Sequence, residues 1–236
     1  EMGITIKANR ATLPYEYKGQ AYTLNLLDTP GHVDFHYEVS RALAACEGVL
    51  LLVDASQGVQ AQTVANAYLA ADAGVEIIPV INKIDLPGAR PEDAAEELEH
   101  VLGLDAADAI YTSAKTGQGI AGLLEAIIER IPPPSGDPEA PLAALIYDAK
   151  SDPHRGVICH LRMIDGRIRR GQKILFMAQD RTHFVTEVGR YEPHPTAREE
   201  LAAGEVGYLV AGIKTIADVR VGDTVTDAAH PAEKSL

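Results

Sequence analysis

A short polar motif, Asn82-Lys83-Ile84-Asp85, directly follows an apolar segment at residues 77–81. The Asp85 carboxylate can accept two hydrogen bonds from the N1–H and exocyclic amine of guanine, whereas adenine offers no matching pair of donors. A buried acceptor that the wrong base leaves unpaired is a strong source of specificity. The stem of Lys83 can lie over the purine ring, and Asn82 can tie the base edge to neighbouring loops. Such a motif also occurs by chance in loops, but its place behind a strand favours a guanine site.

A second motif, Ser113-Ala114-Lys115, follows the apolar segment at residues 109–112. It lies one helix and one strand beyond Asp85, so we expect the two loops to meet at the same edge of a parallel sheet. There the backbone N–H of Ala114 would donate to the guanine O6 carbonyl. As a tripeptide the motif has little weight, and its value lies in this position. Together the two motifs predict a base pocket.

The segment Asp28-Thr29-Pro30-Gly31-His32 follows a third apolar run, residues 22–27. Asp28 at a strand end can hold a magnesium ion through water, and Gly31 allows its N–H to approach a terminal phosphate oxygen. His32 would then lie near that phosphate and orient an attacking water. The alternatives are a plain Pro-Gly turn and an ordinary loop histidine. His36 lies four residues after His32, but Val33 occupies the place of the glutamate that a zinc-protease motif needs, so we discard zinc.

Phosphate handling has one further candidate and one notable gap. Thr5, in Gly3-Ile4-Thr5, has a hydroxyl that can bind magnesium and an N–H that can bind a γ-phosphate. The alternative is a β-branched residue at the start of a strand. No Gly-x-x-x-x-Gly-Lys-Ser/Thr segment, the usual phosphate loop, occurs in the 236 residues.

Hydrophobic patterning divides the chain into two parts. Residues 1–134 alternate apolar strands with helical stretches, which predicts an α/β domain with a mostly parallel sheet. We expect strands at 22–27, 49–53, 77–81 and 109–112, and helices at 34–46, 60–73, 91–102 and 120–131. A proline-rich linker at 135–141 separates this part from residues 142–236, whose short strands predict an antiparallel β-barrel. Its expected strands are 145–148, 157–163, 173–176, 184–188, 207–210 and 224–226, with a hairpin turn at Asp165-Gly166.

Composition narrows the class of protein. The net charge of −13 argues against a broad electrostatic wrap around nucleic acid. A local basic cluster at Arg167, Arg169, Arg170 and Lys173 is either a solvated hairpin or a phosphate contact. Two cysteines far apart indicate neither a disulfide framework nor a zinc site, so we expect a reducing cytosol. No apolar run is long enough to predict a transmembrane segment.

These residues together resemble the translational GTPases. The segment from Asp28 to Phe35 is similar to their switch II. Asn82-Lys83-Ile84-Asp85-Leu86-Pro87, the proline-rich linker and Gly204-Glu205-Val206-Gly207-Tyr208 narrow the resemblance to the elongation factor 4 (LepA) family. The likeness covers essentially the whole chain. It implies an incomplete Ras-like P-loop GTPase domain followed by the β-barrel second domain of translation factors.

The resemblance also implies a function and its residues. Thr5 would be the switch I threonine and Asp28 the magnesium-linked acid, while Gly31 would sense the γ-phosphate and His32 would be catalytic. Thr29 and Pro30 would complete the phosphate side, and Asn82, Lys83, Asp85, Ser113, Ala114 and Lys115 would hold guanine. The cofactors would be GTP or GDP with Mg²⁺.

The implied activity is ribosome-dependent GTP hydrolysis, with back-translocation and translational fidelity as its proposed purpose. Ribosomal RNA and ribosomal proteins would be the partners, with tRNA a further candidate, and we expect a monomer. The expected location is the cytoplasm, with the cytoplasmic face of the cell membrane as a second possibility. Because the phosphate loop is absent, we expect this chain alone to be an inactive internal fragment. The alternative is a non-enzymatic ribosome-binding module that has kept its guanine loops as relics.

Overall fold

The computed structural model describes residues 9–29 and 36–236. The strands of the first half are β1 (Asn9–Tyr17), β2 (Gln20–Asp28), β3 (Gly48–Asp54), β4 (Glu76–Asn82) and β5 (Ile110–Tyr111). The helices are α1 (His36–Leu43), α2 (Ala61–Asp72), α3 (Pro91–Leu102) and α4 (Ile120–Arg130). The strands of the second half are β6 (Ala143–Asp152), β7 (Gly156–Asp165), β8 (Arg167–Arg169), β9 (Lys173–Phe176), β10 (Arg181–Phe184), β11 (Glu187–Tyr191), β12 (Pro195–Arg198), β13 (Glu200–Ala202), β14 (Val206–Val210) and β15 (Thr224–Asp227).

Two compact units share these elements. One comprises Thr29–Pro132, and the other combines Asn9–Asp28 with Pro133–Leu236. The β1–β2 hairpin therefore belongs by its contacts to the second unit, although the sequence assigns it to the first domain.

A three-stranded parallel sheet in the order β3-β4-β5 forms the centre of the first unit. Its middle strand is apolar throughout residues 77–81, and Ile78, Val80 and Ile81 are almost completely buried. Helical residues Ala94, Ala95 and Leu98 of α3 cover one side. Since the strands are parallel, their carboxyl ends meet at one edge, where Asp54 pairs in register with Asn82. The α/β class predicted from the sequence is confirmed.

The local sequence determines where helix α3 begins and ends. Pro91 occupies the first turn, where its missing N–H costs nothing, and the acids Glu92 and Asp93 favour the positive end of the helix dipole. Gly103 ends the helix with φ = +67°, and its N–H donates to the Glu99 carbonyl at 2.9 Å. The observed bounds are those predicted.

The β1–β2 hairpin is antiparallel and turns at Lys18 and Gly19, which have φ values of +50° and +75°. Within the described residues, β2 pairs with β1 alone. Strand β1 was not predicted, because Pro14 interrupts its pattern; a proline is tolerated at the edge of a sheet. The hairpin contacts the rest of its unit through Arg10, whose Nε donates to the Tyr147 hydroxyl at 2.9 Å.

An eight-stranded antiparallel sheet dominates the second unit, in the order β10-β9-β15-β6-β7-β14-β11-β12. A separate two-stranded sheet pairs β13 with β8. Alternate side chains of these strands form one large apolar core, which includes Ile146, Leu161, Met163, Phe176 and Leu209. The antiparallel second part predicted from the sequence is confirmed.

Two local predictions in this unit were wrong. Asp165-Gly166 does turn, with φ = +71° at Gly166, but β7 and β8 do not pair as a hairpin. The turn instead binds the segment before β6: Asp137 N–H donates to Asp165 Oδ1 at 2.8 Å, and Gly166 N–H to Asp137 O at 2.8 Å. This packing directs β8 toward β13.

The second concerns residues 184–188, which do not form one strand. β10 ends at Phe184 and β11 begins at Glu187, because the buried Val185 bonds to Gln172 while the N–H of Thr186 already donates to Val210. The chain therefore passes from one pair of strands to another at this point.

In the part of the chain that the structure describes, no helix is long and apolar enough to cross a membrane.

Candidate nucleotide-binding site

Two loops at the carboxyl edge of the parallel sheet carry the predicted guanine residues. The first follows β4 and contains Lys83 and Asp85, with Asn82 as the last residue of the strand. The second follows β5 and contains Ser113, Ala114 and Lys115, of which the last two are exposed. The predicted meeting of these loops is observed in their hydrogen bonds.

The Asn82 side chain ties the loops together. Its Oδ1 accepts the backbone N–H of Ala114 at 3.1 Å and the hydroxyl of Thr112 at 3.3 Å. The sheet supports the same junction, because Thr112 N–H donates to Ile81 O at 2.8 Å and Ile84 N–H to Thr112 O at 3.3 Å. The Ala114 N–H that the sequence assigns to guanine O6 thus has Asn82 as its partner here.

Asp85 is joined to the second loop by a side-chain hydrogen bond. Ser113 Oγ, in a residue with no exposed surface, donates to Asp85 Oδ1 at 2.7 Å. Within the described residues, Asp85 Oδ2 has no hydrogen-bond donor. The carboxylate is therefore oriented through one oxygen and keeps the other for an added donor.

The second loop is a tight turn organised around Ser113. The N–H of Thr116 donates to Ser113 Oγ at 3.2 Å, and that of Gly117 donates to Ser113 O at 2.8 Å. Gly117 and Gly119 have φ values of +83° and +75°, a region that favours glycine. At Gly119 a Cβ atom would lie 2.0 Å from Tyr111 O. Neither glycine was singled out from the sequence, although Gly-x-Gly just before a helix is a usable signal.

Lys83 has a backbone conformation that is uncommon for a residue with a side chain. Its φ is +64°, and the turn is held by the N–H of Leu86, which donates to Lys83 O at 3.1 Å. Non-glycine residues adopt this region at an energetic cost and are found disproportionately at functional sites. Its ammonium group pairs with Asp54 at 2.7 Å, a residue that the sequence analysis did not include in the site. Only the pairing of β3 with β4 brings Asp54 next to this loop.

The predicted phosphate residues are only partly described. Asp28 is exposed at the end of β2, where its Oδ2 accepts a hydrogen bond from Asn9 Nδ2 at 3.4 Å, and Thr29 follows it. Asp28 belongs to the unit that contains the hairpin. The other predictions, on Thr5, Pro30, Gly31 and His32, lie outside the described residues. Among the described residues, no group of three or more His, Cys, Asp or Glu side chains could hold a metal ion.

Two of the four residues in the basic cluster of the second unit, Arg167 and Arg169, pair with acids. Arg167 donates to Glu200 at 2.6 Å and to Glu139 at 3.0 Å, and Arg169 donates to Glu200 at 2.6 Å. The hydrogen bonds from Arg169 and then Arg167 hold the pKa of Glu200 below its usual value. The cluster is therefore less basic than its sequence indicates.

Family models match both parts of the chain. Residues 1–133 match the model described as the elongation factor Tu GTP binding domain. The chain belongs to the elongation factor Tu GTP-binding family. Residues 156–226 match elongation factor Tu domain 2.

Relatives within this family extend over the whole chain. Elongation factor 4 of Lactobacillus acidophilus is 59% identical over 237 residues, and that of Bacillus subtilis is 56% identical. The chloroplastic translation factor GUF1 homolog of Vitis vinifera is 57% identical. Each alignment covers 100% of this chain but only 39%, 39% and 35% of those proteins. The predicted resemblance to elongation factor 4 is confirmed, and the chain spans about two fifths of the length of these relatives.

A solved structure agrees on the fold. The crystal structure of the bacterial selenocysteine-specific elongation factor EF-Sec matches with a TM-score of 0.75 and 21% sequence identity. The match covers 96% of this chain and 39% of that chain. At this identity the likeness concerns the fold alone.

Proposed function

We propose that this chain supplies the guanine-binding part of a ribosome-dependent GTPase of the elongation factor 4 type. The observation that carries the proposal is the junction of the two loops, in which Ser113 orients the Asp85 carboxylate and Asn82 holds the second loop. Asp85 Oδ2 is available and Oδ1 keeps a second acceptor position beside the Ser113 bond, so the oriented carboxylate can accept both donors on the guanine edge. Membership of the elongation factor Tu GTP-binding family gives independent support.

Phosphate chemistry would depend on the residues around Asp28. Asp28 is an exposed carboxylate at a strand end, and carboxylate oxygens suit Mg²⁺, which retains several waters when bound. Bound there with Thr5 as a second ligand, the ion would neutralise charge on the phosphates. Gly31 would donate its N–H to the γ-phosphate, and His32 would orient the attacking water. Thr29 and Pro30 would shape the loop between them.

The 236 residues contain no phosphate-loop sequence, and we propose that this chain alone does not turn over GTP. A phosphate loop supplies most of the N–H donors that hold the β- and γ-phosphates. An assay of inorganic phosphate released from GTP with Mg²⁺ and ribosomes tests this directly. Phosphate release by the 236-residue chain above the ribosome-only background would contradict the proposal.

The biological role that we propose is supported by the similarity to elongation factor 4. We infer that the complete protein works as a monomer in the cytoplasm and binds ribosomal RNA and ribosomal proteins, with tRNA as a further partner. We propose that its GTP hydrolysis serves back-translocation and the fidelity of translation.

The decisive test is Asp85→Asn in the full-length protein. A carboxamide can donate to the 2-carbonyl of xanthine but no longer accepts both guanine donors, so specificity should move from GTP to XTP. Ribosome-stimulated phosphate release should fall at least about a hundredfold with GTP and recover with XTP. Asp93→Asn, on the exposed side of α3, is the matched control and should keep GTP specificity. Wild-type protein that hydrolyses no GTP on ribosomes, or Asp85→Asn that keeps its GTP preference, would contradict the proposed function.

A further inference from the structure

Asp54 lies at the carboxyl end of β3, directly beside the first guanine loop. It pairs in parallel register with Asn82, and the N–H of Ala55 donates to Asn82 O at 2.8 Å. Neither the guanine contacts nor the phosphate contacts proposed above use it. Its side chain is 17% exposed, so its carboxylate is largely withdrawn from solvent.

Each oxygen of this carboxylate has its own donors. Oδ1 accepts the backbone N–H of Ser56 at 2.8 Å and the Ser56 hydroxyl at 2.6 Å. Oδ2 lies 2.7 Å from the Lys83 ammonium and accepts a weaker bond from Gln57 Nε2 at 3.3 Å. The group is therefore fixed by its own turn and presents one oxygen to the lysine.

The same contacts decide the charge of Asp54. Burial opposes ionisation, but the hydrogen bonds from Lys83 and Ser56 outweigh it and hold the pKa of the carboxyl below its usual value. The ammonium of Lys83 thus faces a full negative charge at neutral pH.

Lys83 is anchored at both of its ends. Its backbone is held at φ = +64°, and its ammonium is held by Asp54, while 54% of the side chain stays exposed between these points. A lysine fixed only by its backbone would sample many rotamers, and ordering them on binding costs free energy. An anchored stem presents its methylene groups as a preformed apolar surface.

We propose that Asp54 is a positioning residue for guanine nucleotides, because it anchors the Lys83 ammonium so that the lysine stem forms a preset platform for the purine ring. The inference rests on the proposed function and extends it to a residue outside the two loops. Asp54 itself need not touch the nucleotide. It acts through the conformation of Lys83.

A double-mutant cycle in the full-length protein tests this. Affinity for N-methylanthraniloyl-GDP is measured for wild type, Asp54→Asn, Lys83→Met and the double variant. Asp54→Asn keeps the shape of the side chain but removes its charge, and should weaken binding about tenfold, mainly through faster dissociation. In the Lys83→Met background the same change should have no further effect. Asp93→Asn, which removes an acid from an exposed pair with Arg90, should bind as wild type.

Ser56→Ala provides a second route if Asp54→Asn unfolds. It removes one of the donors that orient the Asp54 carboxylate but leaves Lys83 paired with that carboxylate. Affinity for the probe should therefore fall, by a smaller factor than in Asp54→Asn. This inference alone would be overturned by an Asp54→Asn variant that binds the probe with the affinity of wild type. It would also be overturned if Asp54→Asn lowered the affinity equally in the wild-type and Lys83→Met backgrounds. Wild-type protein that fails to bind the probe would overturn the proposed function and the inference with it.

Discussion

The hydroxyl of Ser113 donates a 2.7 Å hydrogen bond to the carboxylate of Asp85, although the two residues lie 28 positions apart. Ser113 is completely buried, and its own Oγ accepts the N–H of Thr116 at 3.2 Å. The N–H of Thr116 thus holds the Ser113 hydroxyl in place, and this hydroxyl orients the Asp85 carboxylate. The orientation of the proposed guanine acceptor therefore depends on a loop that follows a different strand.

Replacing Ser113 by alanine should weaken guanine nucleotide binding by the full-length protein. A hydrogen bond to a charged group contributes about 1.5–3 kcal/mol, so we expect at least a tenfold rise in Kd for GDP. Equilibrium fluorescence with labelled GDP measures it. Thr116→Ala, in an exposed residue of the same loop, should change Kd less than twofold. Equal affinities for Ser113→Ala and wild type would show that Asp85 needs no orienting partner.

The sequence predicted those parts of the site that depend on local order along the chain. Asn82 and Asp85 were recognisable because they directly follow an apolar strand, and parallel strands bring their carboxyl ends to one edge. Asp54 was missed, because its contact with Lys83 depends on the register of β3 against β4, which no local pattern encodes.

The fold shows the same limit at Asp165-Gly166. The composition of this turn was readable, and Gly166 does adopt a positive φ. Which strand pairs with which depended instead on tertiary contacts, such as the bond from Asp137 N–H to the Asp165 carboxylate. Turn chemistry predicts a change of direction, and packing decides where the chain goes next.

A pair of glycine substitutions should separate backbone conformation from steric contact in the second loop. Gly117 and Gly119 both have positive φ, but a Cβ at Gly117 meets nothing within 4 Å, while one at Gly119 would lie 2.0 Å from Tyr111 O. Gly117→Ala should cost about 1–2 kcal/mol of local stability. Gly119→Ala should cost roughly 1–3 kcal/mol more, because backbone must move. Hydrogen exchange of α4 amides measures both, and equal losses would contradict the predicted contact.

Arg10 should hold the β1–β2 hairpin in place. Its side chain is 8% exposed, donates to the Tyr147 hydroxyl at 2.9 Å and pairs with Asp148. Arg10→Ala should therefore speed amide exchange in residues 9–28 about tenfold or more, since a hydrogen bond that involves a charged group contributes about 1.5–3 kcal/mol. Arg181→Ala removes an exposed pair with Asp218 and should change exchange little. Unchanged protection in Arg10→Ala would show that other contacts suffice.

His160 should make the second unit less stable in mild acid. Its side chain is completely buried beside Tyr147 and Tyr191, with ring centroids 6.1 and 5.6 Å away. Burial, and then the charges of Arg10 and Lys150, lower its pKa well below the usual value. Below about pH 6.5 the unfolded chain binds a proton there that the folded state excludes. The stability present above that pH is thus lost as the pH falls toward the folded pKa, by up to about 1.4 kcal/mol per unit.

Urea unfolding of the second unit at pH 7.0, 6.0 and 5.5 measures this contribution of His160. Among the described residues Nε2 of this ring has no hydrogen-bond partner, and Nδ1 lies 3.5 Å from the Tyr191 hydroxyl, so His160→Phe removes the titrating group together with that one long contact. The variant should lose less stability than wild type between pH 7.0 and 5.5. His154→Gln, in an exposed residue of the turn between β6 and β7, should keep the wild-type slope. A neutral imidazole that is buried in the folded state must contribute to the loss of stability in acid. An identical slope in His160→Phe would therefore contradict this prediction, because the loss would then come from other groups.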